Sequence, residues 1–209
     1  MKILPDKTVE RLSQYRRSLN NELVKGKEFI FSHEIANLLH ITPVQVRRDL
    51  MLIGYSGTLR KGYNIRELIN LIGQIIDTQK GQRIVIVGLG NLGKAIIHYL
   101  HEKRSNLQIV ASFDINPEKI NKMYVGVQCY HINRLERLIR EENVTIGIIT
   151  TPPEVAPKIA GMLIDAGIKG ILNYTPKPLS VPEDVYLEEY DMITSMEKVA
   201  YFVKSNGKS

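Results

Sequence analysis

The sequence holds one cysteine, Cys129, in 209 residues. A single thiol cannot close an internal disulfide or build a thiolate zinc cluster, so the composition suits a reducing compartment and Cys129 is expected to be buried and inert. Long apolar runs are missing too. None reaches the roughly 20 residues of a membrane span, and the opening MKILPDKTVERL has neither the apolar core nor the cleavage site of a signal peptide. A cytoplasmic chain with no membrane contact is expected. The five histidines include His98 and His101 at i, i+3, but no third metal ligand accompanies them, so they read as a helix surface. The pairs Glu141-Glu142 and Glu188-Glu189 read as solvated faces.

With 44% apolar and 24% charged residues, the chain has the composition of an ordinary folded protein. Its charge is unevenly placed. The first 80 residues carry 13 Lys and Arg against 8 Asp and Glu, whereas the remainder carries 15 against 14. A basic front half is compatible with a polyanionic partner, and the arrangement of its cations must decide.

Val9, Leu12, Leu19 and Leu23 recur at helical spacing, and Lys25-Gly26-Lys27 closes that helix. Ser32 is expected to cap a short second helix with Glu34 in its first turn, ending near His40. In ITPVQV, Thr42 can cap a third helix, Pro43 suits its first position, and Gln45 completes the spacing of a capping box. Two short helices this close, with Val46, Leu50 and Ile53 on the buried side of the second, form a helix-turn-helix. Gln45, Arg47 and Arg48 are then expected on the outer face, with Thr42 at the helix start, where they can meet phosphates and base edges. GYSGTLRKGYNI reads as a small β-hairpin, or wing, with Arg60 and Lys61 near its tip. A three-helix packing module with a charged surface is the alternative. An apolar helix over residues 64 to 78 follows.

RIVIVGLGNLGKAIIHYL, from Arg83, places G-x-G-x-x-G between a buried strand and a helix. Gly88 serves a tight turn, Gly90 the close approach of backbone to a pyrophosphate, and Gly93 the packing of helix on strand. Leu89, Asn91 and Leu92 complete the loop. A second strand, LQIVASFD, ends in Asp114, 26 residues beyond Gly88. A carboxylate there can bond the ribose hydroxyls of an adenosine and repel a 2′-phosphate, which favours NAD over NADP. VGVQCY, VTIGIITT and GIKGILNY alternate with helices near 132 to 142, 154 to 166 and 195 to 204, as in a doubly wound parallel sheet. Thr151 and Pro152, at the carboxyl edge, are candidates for the nicotinamide side. No histidine falls in those loops, so a hydride-transfer enzyme would lack its acid or base, and no catalytic residue and no metal site is assigned. A small NAD-dependent oxidoreductase and a CoA-binding adapter remain the alternatives.

TPVQVRRDLMLIGYSG, RKGYN, VGLGNLGKA, FDINPEK, GIKGILNYTP and VYLEEYDMITSMEKVAYF, in this order, resemble the bacterial Rex family of redox-sensing repressors. The resemblance implies an α/β chain: a winged-helix DNA-binding domain over 1–80, a Rossmann NAD(H) domain over 81–190, and a C-terminal helix over 191–209 exchanged in a homodimer. It implies NADH and NAD+ as sensed ligands, double-stranded operator DNA as partner, and release of that DNA when NADH binds. Gly88 to Gly93 would cradle the pyrophosphate, Asp114 the ribose, and Thr151 and Pro152 would lie near the nicotinamide. Arg17, Tyr99 and Asp191 match positions where ligand state is coupled to domain arrangement, the aspartate changing partner between arginine and tyrosine. The chain departs from the family pattern at Leu59 in the wing, at Met51-Leu52-Ile53 after the recognition helix, and at Met192, where some members carry an aromatic residue.

Overall fold

Apolar residues at helical spacing in the first part of the chain and at alternating spacing in the second give two units, Met1–Gln79 and Lys80–Ser209, in a computed structural model. The structure describes residues 4–58, 60–78, 81–102 and 106–206. Leu59 and the expected boundary at residue 80 therefore lie outside the described residues.

In the first unit the order is α1 (Asp6–Val24), β1 (Phe29–Ile30), α2 (Ser32–Leu39), α3 (Pro43–Leu52), β2 (Tyr63–Asn64) and α4 (Ile65–Ile76). Leu12, Tyr15 and Leu19 of α1 bury a stripe with Ile65, Leu68 and Ile72 of α4, while Ile35, Val46 and Leu50 close the core from α2 and α3. The stripe on α1 is rotated from the expected one: Thr8 and Tyr15 are buried and Val9 is exposed. Gly26 ends α1 at φ +86°, a conformation with little cost only for glycine. Residue Phe31, not Ser32, is the N-cap of α2, and the Glu34 carboxylate accepts the Phe31 N–H at 2.8 Å. For α3 the expected start holds, since Thr42 Oγ1 accepts the Gln45 N–H at 3.2 Å and Pro43 is the first helical residue. Asn64 caps α4 in the same way, through the Glu67 N–H.

The second unit carries β3 (Gln82–Val87), α5 (Asn91–Glu102), β4 (Leu107–Asp114), β5 (Met123–Tyr124), β6 (Val127–His131), α6 (Leu135–Glu141), β7 (Ile146–Ile149), α7 (Ala156–Asp165), β8 (Gly170–Asn173), β9 (Tyr186–Glu189) and α8 (Met192–Asn206). Its sheet has the order β5-β6-β4-β3-β7-β8-β9, parallel except for β5 at the edge. Alternation along β3 explains the layers. Ile84 and Ile86 face one side with Ile97 of α5, while Val85 and Val87 face the other with Leu135 and Ile139 of α6 and Leu163 of α7. Two faces are thereby covered by helices, which is what a parallel sheet requires. Strands β4 and β7 flank β3, so the chain reverses its direction of travel across the sheet at β3. In such sheets the crevice at that reversal, outside the carboxyl ends of the strands, is where ligands bind.

Strand β9 was not expected from VYLEEYD, whose charges suggested a solvated face. It pairs in parallel with β8; Glu188 and Glu189 are both exposed, and Glu189 accepts the Asn173 side-chain N–H at 3.3 Å and the Leu179 N–H at 3.0 Å. Cys129 is buried, as expected. No described helix is long and apolar enough to cross a membrane, and no group of three or more potential metal ligands occurs among the described residues.

Candidate nucleic-acid and nucleotide sites

The candidate nucleic-acid face starts at Thr42, whose hydroxyl is committed to the cap of α3. Arg47 and Arg48 are exposed on the helix that follows. Arg47 donates to Ser32 Oγ at 3.1 Å, so the two helices of the motif are bridged at their solvent side. Gln45 does not close the expected capping box. It is half-buried and donates its amide N–H to Asp49 Oδ1 at 2.9 Å, forward along α3 instead of back to Thr42. The physical reason is Asp49 itself, a fully buried carboxylate that draws every nearby donor. Burial alone would raise its pKa; hydrogen bonds from Arg11, Tyr15 and Gln45 outweigh that and hold it below the usual range.

The wing is smaller than the expected hairpin. Thr58 and Gly62 exchange backbone hydrogen bonds at 2.9 and 2.8 Å, closing a loop that carries Arg60 and Lys61, both exposed. The strand after it, β2, pairs with β1, not with residues just before the loop. Sequence spacing could not reveal that, because the partner Phe29-Ile30 lies more than 30 residues upstream and is only two residues long. Gly62 is forced: a Cβ there would lie 2.5 Å from the Ile30 carbonyl oxygen. Lys61 also lies over the Phe29 ring, 5.4 Å from its centroid, which ties the loop to the strand below it.

The three glycines of the second unit occupy three different environments. Gly88 has φ +100°, and a Cβ on it would stand 2.7 Å from Thr150 backbone. Gly93 faces Gly88, whose carbonyl oxygen would be 2.3 Å from an added Cβ. Beside Gly90 nothing lies within 4 Å. Tight turn and close helix packing therefore account for the outer two, and the open side of the middle one leaves room for an approaching group. Thr150 Oγ1 donates to the Gly88 carbonyl at 2.6 Å, fastening the loop after β7 to the glycine turn.

Asp114 closes the same end of the sheet. Its carboxylate accepts the Leu89 N–H at 2.8 Å, the Asn116 N–H at 2.9 Å and Lys119 Nζ at 2.9 Å. Burial pushes its pKa up, but the Asn116, Lys119 and Leu89 donors prevail and keep it ionised below the usual range. An ionised acceptor next to the glycine loop suits ribose hydroxyls, which donate. Across the crevice Thr151 Oγ1 is buried with no hydrogen-bond partner. A buried hydroxyl left unsatisfied calls for a polar group that completes it. Loop, carboxylate and hydroxyl together fit the pyrophosphate, the ribose and the distal polar end of a dinucleotide. Pro152 follows at the start of the turn into α7.

Of the three expected coupling residues, Arg17 is exposed on α1 and Tyr99 is exposed on α5. Burial first, then Tyr190 and Tyr99, push the Tyr174 hydroxyl pKa up, so Tyr99 stands within electrostatic reach of a tyrosine at the carboxyl edge. Tyr174 also stacks on Tyr190, with centroids 5.4 Å apart. Asp191 caps α8: it accepts the Ile193 and Thr194 N–H groups at 2.9 and 3.2 Å and the Thr194 hydroxyl. Those bonds, led by the Thr194 hydroxyl, hold its carboxyl below the usual range. On α8 itself, Ile193, Met196, Val199, Tyr201, Phe202 and Val203 are all exposed.

Comparison with known proteins matches residues 3–50 to the family described as putative DNA-binding protein N-terminus and residues 79–177 to the CoA binding domain. The redox-sensing transcriptional repressor Rex of Listeria welshimeri is 33% identical over 202 residues, covering 97% of this chain and 94% of that protein. The chain belongs to the Rex family. The Rex repressor of Bacillus licheniformis is 34% identical, with 96% and 94% covered. Among solved structures, the Rex-family repressor RSP in complex with β-NAD+ and operator DNA has a TM-score of 0.89 at 32% identity over all of both chains. RSP in complex with β-NADH has a TM-score of 0.87, covering 99% of this chain and 97% of that one. As a Rex protein the chain is a redox-sensing transcriptional regulator and not an enzyme.

Proposed function

We propose that this Rex protein is a homodimer that occupies double-stranded operator DNA when the NADH/NAD+ ratio is low and leaves it when NADH binds. The observation that carries the reading is the presence, in one chain, of a capped helix presenting Arg47 and Arg48 and a glycine turn whose middle member, Gly90, opens onto free space beside an ionised Asp114. In this reading the loop from Gly88 through Leu89, Gly90, Asn91 and Leu92 to Gly93 holds the pyrophosphate, with the α5 amides facing it. Asp114 takes the adenosine ribose, and Thr151 and Pro152 line the nicotinamide end. Thr42, Gln45, Arg47, Arg48, Arg60 and Lys61 face DNA, the wing cations meeting phosphates or the minor groove.

The exposed apolar residues of α8 are sheltered in this reading by exchange between subunits. Asp191 then trades its cap for Arg17 or Tyr99 according to ligand state. Only a ligand with different affinity for the two arrangements can shift them, so NADH binds the released state better than the DNA-bound one. Its setting is the cytoplasm, where such a ratio is read. Operator binding titrated with NADH against NAD+ tests the proposal: NADH is expected to displace the repressor at lower concentration, and coincident curves would overturn it. Calorimetry with NADH, NAD+, NADPH and CoA separates the reading from a CoA-binding module, since all four share an ADP-like moiety.

A further inference from the structure

Asp49 is completely buried in the first unit, and its two oxygens accept four hydrogen bonds. Arg11 Nη2 at 2.8 Å and Gln45 Nε2 at 2.9 Å reach Oδ1; Arg11 Nε at 2.6 Å and the Tyr15 hydroxyl at 2.7 Å reach Oδ2. Arg11 and Tyr15 stand on α1, and Gln45 stands one turn before Asp49 on α3. A glutamine amide has an acceptor arm and a donor arm with two N–H groups, nearly equal in shape, and by itself it can sit either way round. Against an ionised carboxylate only one orientation is favourable. The nitrogen must face Asp49, and the oxygen then occupies the other arm.

We propose that Asp49 is a positioning residue for base reading: it locks Gln45 with its carboxamide oxygen as the groove-facing group, so that α3 selects a base with an exocyclic amine opposite Gln45. The inference rests on α3 being the recognition helix. An unconstrained glutamine favours adenine through two bonds, N6–H to its oxygen and its own N–H to N7. With one N–H committed to Asp49 the other still reaches N7, so the fork to adenine is kept but its orientation is fixed. Cytosine N4 satisfies the oxygen with one bond where adenine makes two, while guanine O6 and thymine O4 present acceptors to that oxygen and are rejected. Arg48, which only donates, reads the opposite polarity a single helical turn away. Neighbouring positions of the operator are thereby specified by an acceptor and a donor of fixed direction.

The test is competitive selection by the full-length protein from a pool of randomised double-stranded DNA, repeated with Gln45→Leu and Asp49→Asn. The wild type is expected to enrich adenine first and cytosine second, and adenine over guanine and thymine by ~10-fold, at the position whose preference vanishes in Gln45→Leu. Asp49→Asn frees the amide, so that this one position relaxes to within about twofold among the bases while other positions keep their preferences. Unchanged preferences in Asp49→Asn, or a parallel loss at every position tracking its melting temperature, assign Asp49 a structural role only and overturn the proposal. If Asp49→Asn does not fold, Gln45→Leu decides: cytosine enriched no better than guanine and thymine at the affected position, or no affected position, overturns it. A wild type that enriches no sequence overturns the repressor reading itself, which distinguishes the two failures.

Discussion

Asp49, fully buried in the first unit, and Asp114, half-buried in the second, are both carboxylates held below the usual aspartate range, yet they are satisfied by different kinds of donor. Asp49 is held entirely by side chains, three of its four bonds arriving from α1. Asp114 takes two of its three from backbone N–H groups of adjoining loops and keeps a tenth of its side chain exposed. Side-chain donors can be removed singly, and each removal strands a charge. Backbone donors survive any substitution that leaves the loop in place. The first carboxylate is therefore an internal fastener of the DNA-facing helix, and the second is a fixed acceptor waiting at the rim of a crevice.

The sharpest way to break this contrast is Arg11→Ala. Removing one partner of a buried pair leaves Asp49 uncompensated, at a cost of about 3 kcal/mol to the first unit. Chemical denaturation should show this loss with NADH affinity preserved, and no loss would mean that the pair does not hold the helices. The same carboxylate sets a pH dependence. Its folded pKa lies below the unfolded one, so its stabilisation is complete above the ordinary aspartate value of about 3.9 and is lost as pH falls through the folded value. Asp49→Asn should flatten that acid limb.

Gly93→Ala comes next. Its Cβ would collide with the Gly88 carbonyl oxygen, so the turn must open, at ~1–3 kcal/mol and occasionally more. Calorimetry is expected to show NADH binding weaker by ~5- to ~150-fold, the equivalent of that range. Retained affinity would detach the glycine turn from the ligand. Arg48→Ala should weaken operator binding by ~1–3 kcal/mol, the scale of a base-reading pair, with NADH affinity unchanged. A loss of NADH binding there would remove the division of labour between the units. The smallest effect expected is that of Lys119→Ala, about 1 kcal/mol of stability or less, because the Leu89 and Asn116 N–H groups remain on Asp114. A loss as large as that of Arg11→Ala would erase the distinction between the two carboxylates.

What could be read from the sequence was local. The Thr42 cap, Pro43 at the start of α3, the glycine spacing of 88, 90 and 93, and the strand ending in Asp114 all lie within a few residues of the features they specify. What escaped depended on distance or on context. Arg11 and Tyr15 meet Asp49 across 38 and 34 residues, and nothing in QVRRDL marks its aspartate as buried. The tie from Gln45 to Asp49 is therefore illegible in the sequence. Strand β9 carries Glu188 and Glu189, and at a sheet edge with one face open such a segment shows no apolar alternation. The pairing of β1 with β2 joins two-residue strands, too short for any pattern.

Thr150 has a consequence beyond its hydrogen bonds. Its hydroxyl grips the Gly88 carbonyl, its backbone fills the space where a Gly88 side chain would be, and the Gly88 N–H is tied to the Phe113 carbonyl one residue before Asp114. Mechanically, the ends of β3, β4 and β7 form one bracket, with the glycine turn on one arm and Thr151 on the other. A dinucleotide seated on such a bracket has both its ends referenced to the same rigid frame. In the proposed seating, a change at the ligand's far end and one at its near end are both felt by the same three strand ends.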